Sequence, residues 1–230
     1  MYTKIPFIKN QDFIRIKKGK GDLNCIAAIV DGFNELDYFD DYEPGKEIAK
    51  YVAKNFPPKF LDSFNDDIQA KAEQTAEIID QESLKIFPSG AACVAAFLFD
   101  YENHDLVVVI GSVFVFIYSN GRWKKLKGVG DYSIDPKKYG ADVSRFFGLG
   151  NLKKNKMFNT QADVVIVSPK RPLIIATDGI KGLLSLDAIN KTTTRHTLKR
   201  PHYILEELAG IIKERKKRQK DDVAIFLKYK

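Results

Sequence analysis

Cysteine is scarce: the 230-residue chain holds two, Cys25 and Cys93. Each lies inside an apolar, strand-like run, and the pair offers no zinc spacing, so buried reduced thiols are expected. Histidine is nearly as sparse. His104, His196 and His202 stand in polar surroundings, none pairs with another at ligand spacing, and all three read as surface residues. Long apolar runs are missing too. Leu106–Tyr118 is interrupted by Gly111-Ser112 and is too short to span a bilayer. Met1-Tyr2-Thr3-Lys4-Ile5-Pro6 lacks the long apolar core of a signal peptide. A cytosolic protein without a membrane partner is expected. No repeat of fixed period is visible, nor any low-complexity segment beyond one basic run.

That run, Lys213-Glu214-Arg215-Lys216-Lys217-Arg218-Gln219-Lys220, carries much of the net charge of +7. Such a cluster can grip nucleic acid or an anionic surface. It can equally be a solvated helix end, where cations complement the helix dipole. Aromatic residues are not interleaved with it as a stacking surface needs, so nucleic acid is not the expected partner.

The length suits one domain over residues 1–230, two being the weaker option, and can bury a substantial core. Phe13–Lys17 and Cys25–Val30 read as strands around the turn-like Lys18–Asp22, a connection short enough to force them antiparallel. After a polar, acidic loop (Asn34–Glu43), Lys46–Phe56 has helical periodicity, with Pro57-Pro58 expected to end it. Asp62–Ile86 reads as a longer helix closed by Pro88-Ser89-Gly90. Ala92–Phe99, Leu106–Ile110 and Val113–Tyr118 read as strands with hairpin-like joints, the second at Gly111-Ser112. A short helix is expected near Val143–Phe147, and a hairpin of Asp163–Ser168 with Leu173–Ala176. Short helices follow from Ile180, then an amphipathic helix over Tyr203–Lys216 and a closing strand at Val223–Leu227. Grouped antiparallel strands with helices between the groups indicate α+β layers rather than a doubly wound sheet.

Three aspartates sit at the ends of apolar runs: Asp31 after Ile26–Val30, Asp178 after Leu173–Thr177, and Asp221 before Val223–Phe226. A carboxylate at the mouth of a buried strand is costly unless compensated, and three could share one compensator, a divalent cation. Oxygen ligands without His or Cys suit magnesium, manganese or calcium. An EF-hand is not expected, because Asp37, Asp40 and Asp41 lack its spacing and terminal Glu. Two cations about 4 Å apart would bind a phosphate ester and activate a water, with no nucleophilic side chain required. Taken singly, each aspartate also reads as an ordinary turn residue.

The ordered set of motifs is more specific. Asn10-Gln11-Asp12, Val30-Asp31-Gly32, Ser89-Gly90 leading into Ala92–Phe99, Gly111-Ser112, Ala176-Thr177-Asp178-Gly179 and Asp221-Asp222-Val223 span nearly the whole chain. In that order they resemble the metal-dependent serine/threonine phosphatases of type 2C. Arg145-Phe146-Phe147-Gly148 also stands where that family carries an Arg-x-x-Gly-like segment. The resemblance implies a four-layer α-β-β-α sandwich of two antiparallel sheets flanked by helices, with two Mn2+ or Mg2+ ions at one end. By the same resemblance Asp31 bridges the ions, the Gly32 carbonyl binds the second, Asp178 and Asp221 complete the first, and Asp12 holds a metal-bound water. The implied reaction is attack of a water held between the ions on a phosphoserine or phosphothreonine. The partner is then a phosphoprotein substrate, and the protein a monomer.

Four departures from the family pattern stand out. Phe7 occupies the place of a phosphate-clamping Arg, and Phe33-Asn34-Glu35 replaces a segment that often carries a proton-donating His. Ser112 replaces the Asp that ligates a third metal, and Ala91-Ala92 replaces small hydroxyl-bearing residues. Two classes of function therefore remain: an active metallophosphatase, and a weak or inactive relative kept as a protein-binding regulatory module.

Overall fold

Alternating apolar residues in the strands and one-sided apolar stripes in the helices give every element a face to hide. Three buried clusters hide them. The computed structural model describes residues 2–5, 11–34, 44–87, 91–126, 128–130, 132, 144–148, 157–215 and 222–229. Its strands are β1 (Tyr2–Ile5), β2 (Phe13–Lys18), β3 (Leu23–Asn34), β4 (Ala91–Tyr101), β5 (Asp105–Ile110), β6 (Val113–Ser119), β7 (Arg122–Lys125), β8 (Phe147–Gly148), β9 (Asp163–Val167), β10 (Leu173–Thr177) and β11 (Val223–Lys228). The helices are α1 (Pro44–Asp62), α2 (Ile68–Ile86), α3 (Leu186–His196) and α4 (Pro201–Arg215).

One sheet runs β1-β11-β10-β6-β7 and the other β2-β3-β4-β5-β9, with β8 added to β4. Every pairing between these strands is antiparallel. Strand β4 shows how the layers are built. Cys93, Ala95, Phe97 and Phe99 face α1 and α2, while Ala92, Val94, Ala96 and Leu98 face the other sheet. On the other sheet, Leu173, Ile175, Ala224 and Phe226 point inward, and Ile174, Ala176, Val223 and Ile225 point to α3 and α4. The result is the expected α+β, four-layer α-β-β-α sandwich.

Local expectations fail where a short link admits two geometries. Gly111-Ser112 is not a hairpin turn: β5 and β6 lie in different sheets, so the link crosses between layers. It does so with Gly111 at φ +88°, where an added Cβ would meet the Arg145 carbonyl oxygen at 2.4 Å. Likewise β9 and β10 form no hairpin; β9 edges one sheet and β10 is central in the other. Pro57-Pro58 does not end α1, which continues to Asp62. The lost amide donors are offset by packing: Phe56 stacks on Phe97 at 4.0 Å between centroids and Phe60 lies 4.7 Å from Phe99. The next helix starts six residues later than Asp62, at Ile68, because the Asp67 side chain caps it by accepting from the amides of Gln69 and Ala70. The segment expected as a short helix near Val143–Phe147 instead holds an isolated bridge from Arg145 to Asn159 and the strand β8. Phe56→Ala should lower unfolding free energy by about 3–5 kcal/mol, read from urea denaturation, since it empties a fully buried stack.

One end of the sandwich is closed by charge. Asp100 on β4, Asp105 on β5 and Lys228 on β11 all point between the sheets, and Lys170 reaches in from the β9–β10 link. Lys228 donates to Asp105 and lies 3.3 Å from Asp100, while Lys170 donates to Asp100 at 2.5 Å and to the Tyr101 carbonyl at 2.6 Å. Burial pushes the Asp105 carboxyl up despite its lysine. Burial alone would raise Asp100 too, but Lys170 and Lys228 outweigh it and hold that carboxyl below the usual range. The half-buried Cys25 thiol donates to Asp100 at 3.7 Å and is raised by burial and by that neighbour. Both cysteines are free thiols, as expected. His196 departs from the surface reading: it is half-buried and 2.5 Å from Glu207.

Candidate metal and phosphate site

The other end gathers the aspartates. Phe13 pairs with Val30, so Asp12 enters β2 beside Asp31 of β3. Ala176 pairs with Ile225 in the facing sheet, so Asp178, just past β10, and Asp222, just before β11, lie at a common edge. Side-chain alternation then decides which groups face the gap. Asp31 follows inward-pointing Ala27 and Ile29, Thr177 follows Leu173 and Ile175, and Asp222 precedes Ala224 and Phe226. Asp12, Asp31 and Asp222 are buried and Asp178 is half-buried.

Two bonds tie the sheets together there. Thr177 Oγ1 donates to Asp12 Oδ2 at 2.8 Å and accepts from the Ala224 amide at 2.9 Å. The Gln11 amide donates to Asp222 Oδ2. Two glycines permit the approach. A Cβ on Gly32 would stand 2.2 Å from the Gly45 carbonyl oxygen at the start of α1 and 3.0 Å from that of Gln11. A Cβ on Gly179 would stand 1.9 Å from the Asp222 carbonyl oxygen. Thr177→Val should keep the shape, delete both hydroxyl bonds and cost about 1–3 kcal/mol in urea unfolding.

Of the residues expected at the site, Asp12, Asp31, Gly32 and Asp178 come to this end, and Asp221 lies outside the described residues. Among the described residues, no three His, Cys, Asp or Glu side chains are grouped to hold an ion by themselves. The donors nonetheless suit a hard cation, being carboxylates and backbone carbonyls only. Two further polar groups lie at this end. Gln11 Nε2 and Ser112 Oγ are buried with no hydrogen-bond partner among the described residues. Ser112 precedes Val113, which pairs with Thr177, so its hydroxyl belongs to this end. Such donors hold a water or a phosphate oxygen.

Sequence reasoning passed over Thr177, Asp222 and Gln11 as working residues. The signal for Asp222 was available: it shares inward parity with Ala224 and Phe226. Phe7 lies outside the described residues. Arg145 is engaged elsewhere. It pairs with Asp163 at 3.1 Å and lies over the Tyr132 ring at 3.6 Å.

No protein-family model and no curated protein matches the sequence. Solved structures do match in fold. The serine/threonine phosphatase of S. agalactiae is 13% identical, with a TM-score of 0.73 over 98% of this chain and 96% of that one. Serine/threonine phosphatase Stp1 from Staphylococcus aureus is 13% identical, with a TM-score of 0.73 over 100% and 94%. The catalytic domain of serine threonine protein phosphatase PstP, solved with two manganese ions, is 12% identical, with a TM-score of 0.68 over 99% and 95%. The chain is therefore type-2C-like in fold.

Proposed function

We propose that the chain is a divergent metal-dependent phosphatase that hydrolyses phosphoserine or phosphothreonine in a protein substrate, using two Mn2+ or Mg2+ ions. The observation supporting this reading is that Asp12, Asp31, Asp178 and Asp222 lie at strand ends on one side of the two sheets, which the Thr177–Asp12 and Gln11–Asp222 hydrogen bonds join there. It occurs in a fold shared with serine/threonine phosphatases. Asp31, the Gly32 carbonyl, Asp178 and Asp221 would hold the ions. Divalent ions supply a water of lowered pKa and neutralise phosphate charge. Asp12, fixed by Thr177, would accept a hydrogen bond from a water at this end and so orient it. Gln11 Nε2 and Ser112 Oγ, buried at this end, would donate to water or phosphate oxygens.

A second reading, a catalytically weak binding module of the same fold, is favoured by Ser112, whose hydroxyl stands where the family pattern has a metal-binding carboxylate. Purified protein with manganese should hydrolyse p-nitrophenyl phosphate and a phosphothreonine peptide, and chelator should stop both. Manganese binding without turnover would instead select the binding module. A monomer working in the cytosol is proposed with the phosphatase. Among the described residues no helix is long and apolar enough to cross a membrane.

A further inference from the structure

Strand β2 is the unpaired edge of its sheet, and beside it runs a groove of about 90 Å³ between β2–β3 and α1. Its floor is aliphatic, made by Ile26, Ala28 and Ala53, and its rim carries Arg15, Lys17 and Lys54. No acidic residue lines it. Among the described residues Arg15, Lys17, Lys18, Lys20 and Lys54 enter no ion pair, whereas Lys50 and Lys59 on the same helix are paired with Glu47 and Glu82. Ile16, in the middle of the edge strand, is 43% exposed.

Pro57 and Pro58 line the groove and have no N–H, so the carbonyls of Ala53 and Lys54 lack their helical donors. The groove thus offers cations and an apolar floor, and beside it lie the outward amides and carbonyls of an edge strand. Nucleic acid matches this poorly: no aromatic ring lines the groove for a base to stack on. An extended acidic peptide with interspersed apolar side chains matches each feature, its backbone pairing with the β2 edge, its apolar side chains meeting the floor and its carboxylates the cations.

We propose that this groove and the β2 edge dock an extended, acidic segment of a partner protein by strand addition. Arg15 is three residues from Asp12, so a strand laid along β2 ends about 10 Å from the aspartate mouth at strand rise. The docking itself requires no turnover and stands independently of the phosphatase reading.

Fluorescence anisotropy of a labelled Glu-Val repeat dodecamer at about 0.15 M salt, where charges more than about 8 Å apart are screened, tests this. Saturable binding is expected, weakened at least tenfold by Lys17→Glu and by Lys54→Glu and unchanged by Asp31→Asn. A Glu-Ser repeat of equal length should bind at least tenfold more weakly, because it leaves the apolar floor unfilled. Both lysines are exposed, and unchanged circular dichroism melting will verify the variants' fold. No saturable binding, equal binding of the two repeats, or insensitivity to both charge reversals would overturn the proposal. Tighter binding of a dT20 oligonucleotide, lost in the same variants, would overturn it in favour of a nucleic-acid surface.

Discussion

Asp31→Asn should reduce manganese-dependent hydrolysis of p-nitrophenyl phosphate by at least about 100-fold, given that groups one shell further from a metal already cost about 10–100-fold when removed. The expectation follows from position. Asp31 is buried on the inward side of β3, beside Asp12 and across from the Asp178–Asp222 edge. Asparagine keeps its shape and removes the charge that divalent ions need there. A melting temperature close to wild type would separate loss of chemistry from loss of fold. Wild-type rates in a folded Asp31→Asn variant would remove this carboxylate from any catalytic role.

The second large effect is on stability. Lys228→Met should cost about 3–5 kcal/mol in urea unfolding, because it strips the partner from buried Asp105 and one of two partners from Asp100. Replacing Asp105 by Leu in the same chain should recover much of the loss, since a buried pair and an apolar pair of similar volume are close in stability. The pH dependence has a defined sign. The Asp105 carboxyl is already raised by burial, and losing Lys228 raises it further. Protonation therefore relieves the variant as pH falls through that raised value, and its deficit against wild type should be largest at neutral pH and shrink in acid. Asp100 adds to the deficit in the same direction. Its carboxyl is held low, so its contribution is present above the unfolded carboxylate range and is lost as pH falls through the lowered folded value. A deficit that stays constant into acid would show that lost packing, not the unpaired carboxylates, dominates this cluster.

Much of the layered fold is written in short continuous apolar runs. Ala91–Tyr101 and Leu173–Thr177 are apolar at nearly every position because each strand is covered on both faces. The positions of Asp31 and Asp178 were readable from the same runs, although β3 continues past Asp31 to Asn34. Sheet membership was not readable. A two-residue link such as Gly111-Ser112 satisfies a hairpin and a crossing between facing sheets equally well, and only the packing of Val113 and Val115 against the opposite sheet distinguishes them. Pro57-Pro58 misled for a related reason: local propensity opposed the helix, while burial of Phe56 and Phe60 on both sides of the break outweighed it. Thr177 was hidden because a threonine in a strand gives no sign that its hydroxyl will meet Asp12, 165 positions away.

The central claim is that oxygen donors around Asp31 hold paired divalent ions. Crystals soaked in manganese chloride, measured for anomalous scattering, test it most directly. Two peaks about 4 Å apart sharing Asp31, with Asp178 at one of them, are predicted. A fully manganese-loaded crystal with no peak within bonding distance of Asp31 would contradict the account.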